Sequence, residues 1–520
     1  MRKAYLRLYK AAKKHHFDIQ KQFDNKELSD EQYLILGFSD DIMSNVVNIL
    51  LNYEVGSIES IGVDNSCRAI IEAISLLHMY KIGKINEKQV RLYRYQYSLV
   101  DNANLVSILK KVGLGDSIFD RKINQDKEIA LDIYSDIFGI DKTELKQMIK
   151  KREVFLNDPL SFLMKSPKDG IRMIDIINKY NPYDEMFVKI YTFFSIFEHP
   201  RYEHMPNVEK LNMKLRMAMI ETLLSYVMLY FNANNYFIAN DGELPTPHQD
   251  LFENEKAKYL DENIVAIRYI FYELSKQFGV FENGTDNMTL FFLNKMRDIA
   301  INMLISISLG YNEQTIAAFR VFMENAGTFN FINSASNQEE MKYLKTAFWC
   351  SSIMQVDSCI KDMKIDVDKT DIDMMLKPVY DNYYKAKYKL DSYEKFKDKM
   401  AHNSLYFFEN SGKKSYNNLI RESLKMFSKE IERDDYFTAY KVAVDIAHAS
   451  GYSFNATPII VELYALRCVV LFWAYILRYT FLNELTLSDH NIKVDVAKPV
   501  QFILEFYRYY NDEMMKIAKE

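Results

Sequence analysis

Apolar residues recur at three- and four-residue steps along almost the whole chain, and no segment sustains the two-residue alternation of a half-buried strand. This periodicity predicts helix after helix. Turn formers are scarce: Gly 15 and Pro 10 make 25 of 520 residues, which disfavours a sandwich or barrel. The spacing predicts helices near 64–81, 86–111, 126–136, 142–152, 170–179, 184–199, 207–231, 256–278 and 287–309. It continues with 312–332, 337–363, 370–410, 415–430, 433–449, 456–484 and 497–518. Ser29 and Gln32 have capping-box spacing. Ser39 reads as the residue before a helix whose stripe is Ile42, Met43, Val46, Val47, Leu50 and Leu51. The expected fold class is all-α.

At 520 residues the chain exceeds the roughly 250–300 that one core supports, so two domains are expected. The clearest interruption holds Asn240, Asp241, Gly242, Pro245 and Pro247. It suggests a first helical domain over 1–245, a linker over 246–258 and a second helical domain over 259–520. Three short patterns repeat in the same order. Arg68 and Glu72 recur as Arg320 and Glu324, an offset of 320 − 68 = 252. Arg216, inside an apolar helix, recurs as Arg467, an offset of 251, and Tyr191 with His199 recurs as Tyr440 with His448, an offset of 249. The pattern predicts a diverged tandem duplication, two pseudo-symmetric helical bundles with the second partly degenerate.

A net charge of −5 supplies no global field for nucleic acid or anionic membrane, so any such contact must be local. Cys67, Cys350, Cys359 and Cys468 form neither a C-x-x-C pair nor zinc-type spacing, which fits a reducing cytoplasm. The N-terminus is basic and amphipathic without the apolar stretch of a signal peptide. The longest apolar run, 468–477, is about half a membrane span and reads as a buried helix. No membrane insertion, metal or cofactor is expected.

Arg68 and Glu72 stand one helical turn apart among Ile70, Ile71, Ile74 and Leu77. Tyr191, Ser195 and His199 lie at i, i+4 and i+8 on a helix that stops at Pro200. Valine replaces the serine in the second pattern, at Val444. The R-x3-E helix followed far downstream by Y-x3-S-x3-H resembles an uncharacterised family of bacterial helical domains. The resemblance covers about 40–231 and, more weakly, 290–484. Such domains look similar in architecture to HEPN bundles, many of them metal-independent RNases of toxin and phage-defence systems.

The resemblance implies an abortive-infection effector that cleaves RNA. His199 would move the ribose or leaving-group proton, Arg68 would clamp the phosphate, Glu72 would hold Arg68, and Tyr191 and Ser195 would complete the site. Arg320, Glu324, Tyr440 and His448 would be the degenerate second site. Arg216 and Arg467 would support the two sites, reaching Glu72 and Glu324 or a phosphate, unless they close core ion pairs. The alternative is a buried polar network that fixes helix register in a non-enzymatic scaffold. The partner is accordingly RNA or a protein, and self-association is compatible with both readings.

Other signals are set aside. Pro200 separates His199 from His204, which breaks a metal-binding face. The Asp366, Asp368, Thr370 segment lacks the glycine and closing glutamate of a calcium loop. Arg91, Tyr93, Arg94, Tyr95 and Tyr97 interleave cations with rings in a manner suited to single-stranded nucleic acid. The Tyr-rich run 380–399 shows no apolar face strong enough for a core and reads as an exposed helix or protomer contact.

Overall fold

The computed structural model of the protein describes residues 30–54, 61–89, 118–151, 173–198, 206–233, 312–361, 370–388, 392–402 and 416–425, with scattered helical positions at 288–303 and 437–443. Every regular element among them is helical and none is a strand, so the protein is all-α. In chain order the helices are α1 (Asp30–Glu54), α2 (Ile61–Lys81), α3 (Ile118–Phe138), α4 (Lys142–Lys151), α5 (Met173–Tyr180), α6 (Glu185–Glu198) and α7 (Pro206–Ala233). Then follow α8 (Asn312–Asn333), α9 (Gln338–Lys361), α10 (Thr370–Val379), a π-helical turn (Tyr380–Tyr384), α11 (Lys385–Tyr388), α12 (Tyr393–His402) and α13 (Tyr416–Leu424). The predicted helices over 86–111, 256–278, 456–484 and 497–518 lie wholly or largely outside the described residues.

Helix α2 is the hub, because α1, α5, α6, α7 and α8 all pack against it. Its sequence explains this position. Val63, Cys67, Ile70, Ile71, Ile74 and Leu77 are buried, and so are Ala73 and Leu76 on another side. A helix apolar on several faces must be surrounded. Burying each large aliphatic chain stabilises the fold by about 1.5–3 kcal/mol. The helix ends where Gly83 takes φ +67, with Gly83 N–H donating to Tyr80 at 2.9 Å and Lys84 N–H to Met79 at 2.9 Å. This is a Schellman cap, and the positive φ is why glycine stands there.

Two local expectations are corrected. Ser39 does not start a helix: α1 begins at Asp30, and the Ser39 hydroxyl donates to the Ile35 carbonyl, 2.7 Å away, from inside it. Serine in a helix interior can satisfy itself on the preceding turn, so it marks no boundary here. The run 370–410 is not one helix but α10, the π-turn, α11 and α12. Pro378 lacks the N–H that would continue the ladder, and the π-turn follows directly, closed by Lys385 N–H on the Tyr380 carbonyl.

The expectation for 380–399 is overturned as well. Tyr380, Tyr384 and Phe396 are buried, and Phe396 lies 5.3 Å from the Tyr380 ring and 4.8 Å from the Tyr384 ring. Residues 380 and 384 lie one turn apart and are covered by Phe396 from beyond the helix end, so the apolar face is made of aromatic rings set among charged residues. The polar residues fasten its edge: Tyr393 Oη donates to Asp373 at 2.7 Å, and Lys397 Nζ lies 2.8 Å from the same carboxylate.

Candidate functional site

Helix α2 presents Asp64, Arg68 and Glu72 at successive turns. Arg68 Nη2 lies 3.3 Å from Glu72 Oε1 and 3.4 Å from Tyr191 Oη of α6. The Tyr191 hydroxyl donates to the same Glu72 oxygen at 3.0 Å, and the guanidinium carbon sits 5.4 Å from the Tyr191 ring centre. Ring and carboxylate therefore both contact the cation, a cation–π contact beside an ion pair. Arg68 is 4% exposed, Glu72 0% and Tyr191 6%. Burial, then the Glu72 charge, holds the Tyr191 phenol well above its ordinary pKa, with Arg68 opposing. It stays protonated and remains a donor.

The same arrangement recurs on α8. Arg320 Nε donates to Glu324 Oε1 at 3.0 Å, and Tyr440 Oη donates to that oxygen at 3.2 Å. Arg320, Glu324 and Tyr440 are all buried. Burial and the Glu324 charge raise the Tyr440 phenol in turn, while Arg320 lowers it. Arginine meets the glutamate through a terminal nitrogen in the first set and through Nε in the second.

The remaining candidate residues do not all join. Ser195 Oγ donates to the Tyr191 carbonyl of its own helix at 2.7 Å, which satisfies it locally. His199, His448 and Arg467 lie outside the described residues. Arg216, on α7, forms its ion pair with Asp64 and not with Glu72, and both partners are buried. Asp64 lies one turn before Arg68, the place on α2 that faces α7. The core ion-pair alternative for Arg216 is therefore the one observed. Cys67 is packed beside this pair. Its thiol is pushed well above its usual pKa by burial and the Asp64 charge, with Arg216 opposing, and so carries little thiolate.

Two features escaped the sequence reading. Asp64 was legible as the first member of an i, i+4, i+8 charge ladder with Arg68 and Glu72. The other is a buried amide seam on α1. Asn48 Nδ2 donates to Ser66 Oγ at 2.9 Å, Asn52 Nδ2 to the Asn48 carbonyl at 2.8 Å, and Asn45 Nδ2 to the Asp41 carbonyl at 2.7 Å. Its signal was asparagine at 45, 48 and 52 inside an apolar helix. Such residues are tolerated in a core only when hydrogen-bonded.

Chemically, each Arg–Glu–Tyr set is close to self-neutralising: one cation, one carboxylate that accepts the phenol, and a phenol that stays neutral. Among the described residues no cluster of His, Cys, Asp or Glu could hold a metal ion. None of the described helices is long and apolar enough to cross a membrane. Fold and site together define an all-helical protein in which buried arginine, glutamate and tyrosine join helices distant in sequence. The sequence matches no known protein-family profile, no curated protein and no solved structure.

Proposed function

We propose that the chain is a non-enzymatic helical interaction protein in which the two Arg–Glu–Tyr sets are internal fasteners, and that a protein partner binds its outer surface. The carrying observation is that all six side chains are buried and that each tyrosine hydroxyl donates to the glutamate paired with the arginine, from a segment distant in sequence. An arginine that clamps phosphate must be able to reach it, whereas the Arg68 guanidinium is buried and its Nη2 faces Glu72 and Tyr191. The recurrence of the set also supports a duplicated bundle, 1–245 and 259–520 joined by 246–258.

The competing proposal is metal-independent RNA cleavage by Arg68, Glu72, Tyr191, Ser195 and His199 in phage defence. The two readings separate in one assay. Purified wild type and His199→Ala are incubated with single-stranded and structured RNA under EDTA, with far-UV circular dichroism checking the fold. The fastener reading expects no cleavage that depends on His199. Cleavage by wild type that disappears in the folded His199→Ala variant overturns it.

A further inference from the structure

Two helix contacts join the fastened sets to each other. Helix α2, which carries Arg68 and Glu72, packs against α8, which carries Arg320 and Glu324. Helix α6, which carries Tyr191, packs against α2 and also against α9, and α9 packs back onto α8. The four helices α2, α6, α9 and α8 therefore close a ring. Tyr191 Oη ties α6 to α2 within it, and Tyr440 Oη ties the 437–443 region onto α8. A close-packed interior transmits small displacements because it has few voids to absorb them. The bond that sets the spacing of α6 on α2 thereby also sets how α6 sits on α9.

We infer that the two sets are one coupled conformational device, so that loosening either loosens the other, although their arginines stand 320 − 68 = 252 residues apart. Independent bundles on a string would show no such coupling. Any partner that pulls on α6 or α9 would change the tightness of both sets together. The inference rests on the fastener reading above, and the experiment separates the failure of one from the failure of the other.

The test is native-state hydrogen exchange on the full chain, followed by peptide in 61–81 and 312–333, for Tyr191→Phe, Tyr440→Phe and the double variant. Phenylalanine keeps the ring and deletes only the hydroxyl, so the fold survives. Tyr191→Phe is expected to speed exchange of the most protected amides in both helices, by at least about threefold. Tyr440→Phe does the same, a reciprocity that linkage requires. The double variant accelerates exchange by less than the product of the single factors. Ser195→Ala, which removes a bond within α6 alone, leaves 312–333 unchanged. Acceleration confined to the substituted half, with the double variant equal to the product, overturns the coupling and leaves the fasteners standing. No acceleration in either single variant overturns both.

Discussion

Glu72 is the acceptor shared by Arg68 and Tyr191, so removing it should cost more than removing the Tyr191 hydroxyl. Glu72→Leu leaves the Arg68 guanidinium buried without that carboxylate, and breaking one side of a buried pair costs about 3–5 kcal/mol. The Tyr191 hydroxyl loses its acceptor in the same step, adding on the order of 1 kcal/mol. Tyr191→Phe alone deletes the hydroxyl that donates to Glu72 and accepts the longer bond from Arg68, and should cost about 1.5–3 kcal/mol. Replacing the whole set with apolar groups behaves differently. Arg68→Met, Glu72→Leu and Tyr191→Phe together remove both charges of the set and the bonds within it, so stability should recover by at least about 1 kcal/mol relative to Glu72→Leu. Exchange of the α2 amides and urea midpoints read these differences. The decisive comparison is the triple variant against Glu72→Leu. If the triple variant is as unstable as the single one, the set does not act as a mutually compensating fastener and the reasoning fails.

Alkaline pH should loosen the fold. Burial raises the Tyr191 and Tyr440 phenols above their unfolded values, so the unfolded chain loses those protons first. The stability they contribute is complete below about pH 10 and falls as pH rises beyond it. The Tyr191→Phe/Tyr440→Phe variant should show a shallower alkaline loss in urea midpoints taken from pH 8 to 11. Asp184 caps α6 by accepting Met186 N–H at 3.0 Å and also accepts Tyr226 Oη at 2.7 Å. Asp184→Ala should therefore destabilise α6 by about 0.5–2 kcal/mol, seen as faster exchange in its first turn. At Gly327 an added Cβ would lie 3.3 Å from Ile420 Cγ1 and 3.5 Å from Leu419 Cγ of α13. Gly327→Val should cost about 1–3 kcal/mol by overpacking, measured as a lower urea midpoint. Gly327→Ala should stay near wild type, because its gain in helix propensity offsets the tight contact.

The helices were legible wherever the apolar spacing was regular. α4, predicted over 142–152, is found at Lys142–Lys151, and α8, predicted over 312–332, is found at Asn312–Asn333. The reading failed where a local rule was bent. Ser39 satisfies itself inside α1, and Tyr380 and Tyr384, set among charged residues, are buried because Phe396 of α12 folds over them. Of the first candidate set, Arg68, Glu72 and Tyr191 were found together because charged groups recurred among apolar neighbours at matching offsets. Ser195 shares the helical face of Tyr191 but spends its hydroxyl on its own backbone. Spacing specifies a face, not where a hydroxyl bonds.

The sequence alone determined that the chain is helical, since period and the scarcity of glycine and proline act locally at every turn. It also determined that Arg68 lies beside Glu72 and Arg320 beside Glu324, because one turn of helix separates them. Only the tertiary structure decided that Tyr191 closes on Glu72 across 119 residues, and that Arg216 pairs with Asp64 across 152. Helical period specifies neighbours within a turn. Partners from distant helices are selected by how the hub helix α2 packs, and burial then forces each of its charges onto whichever opposite group that packing brings within reach.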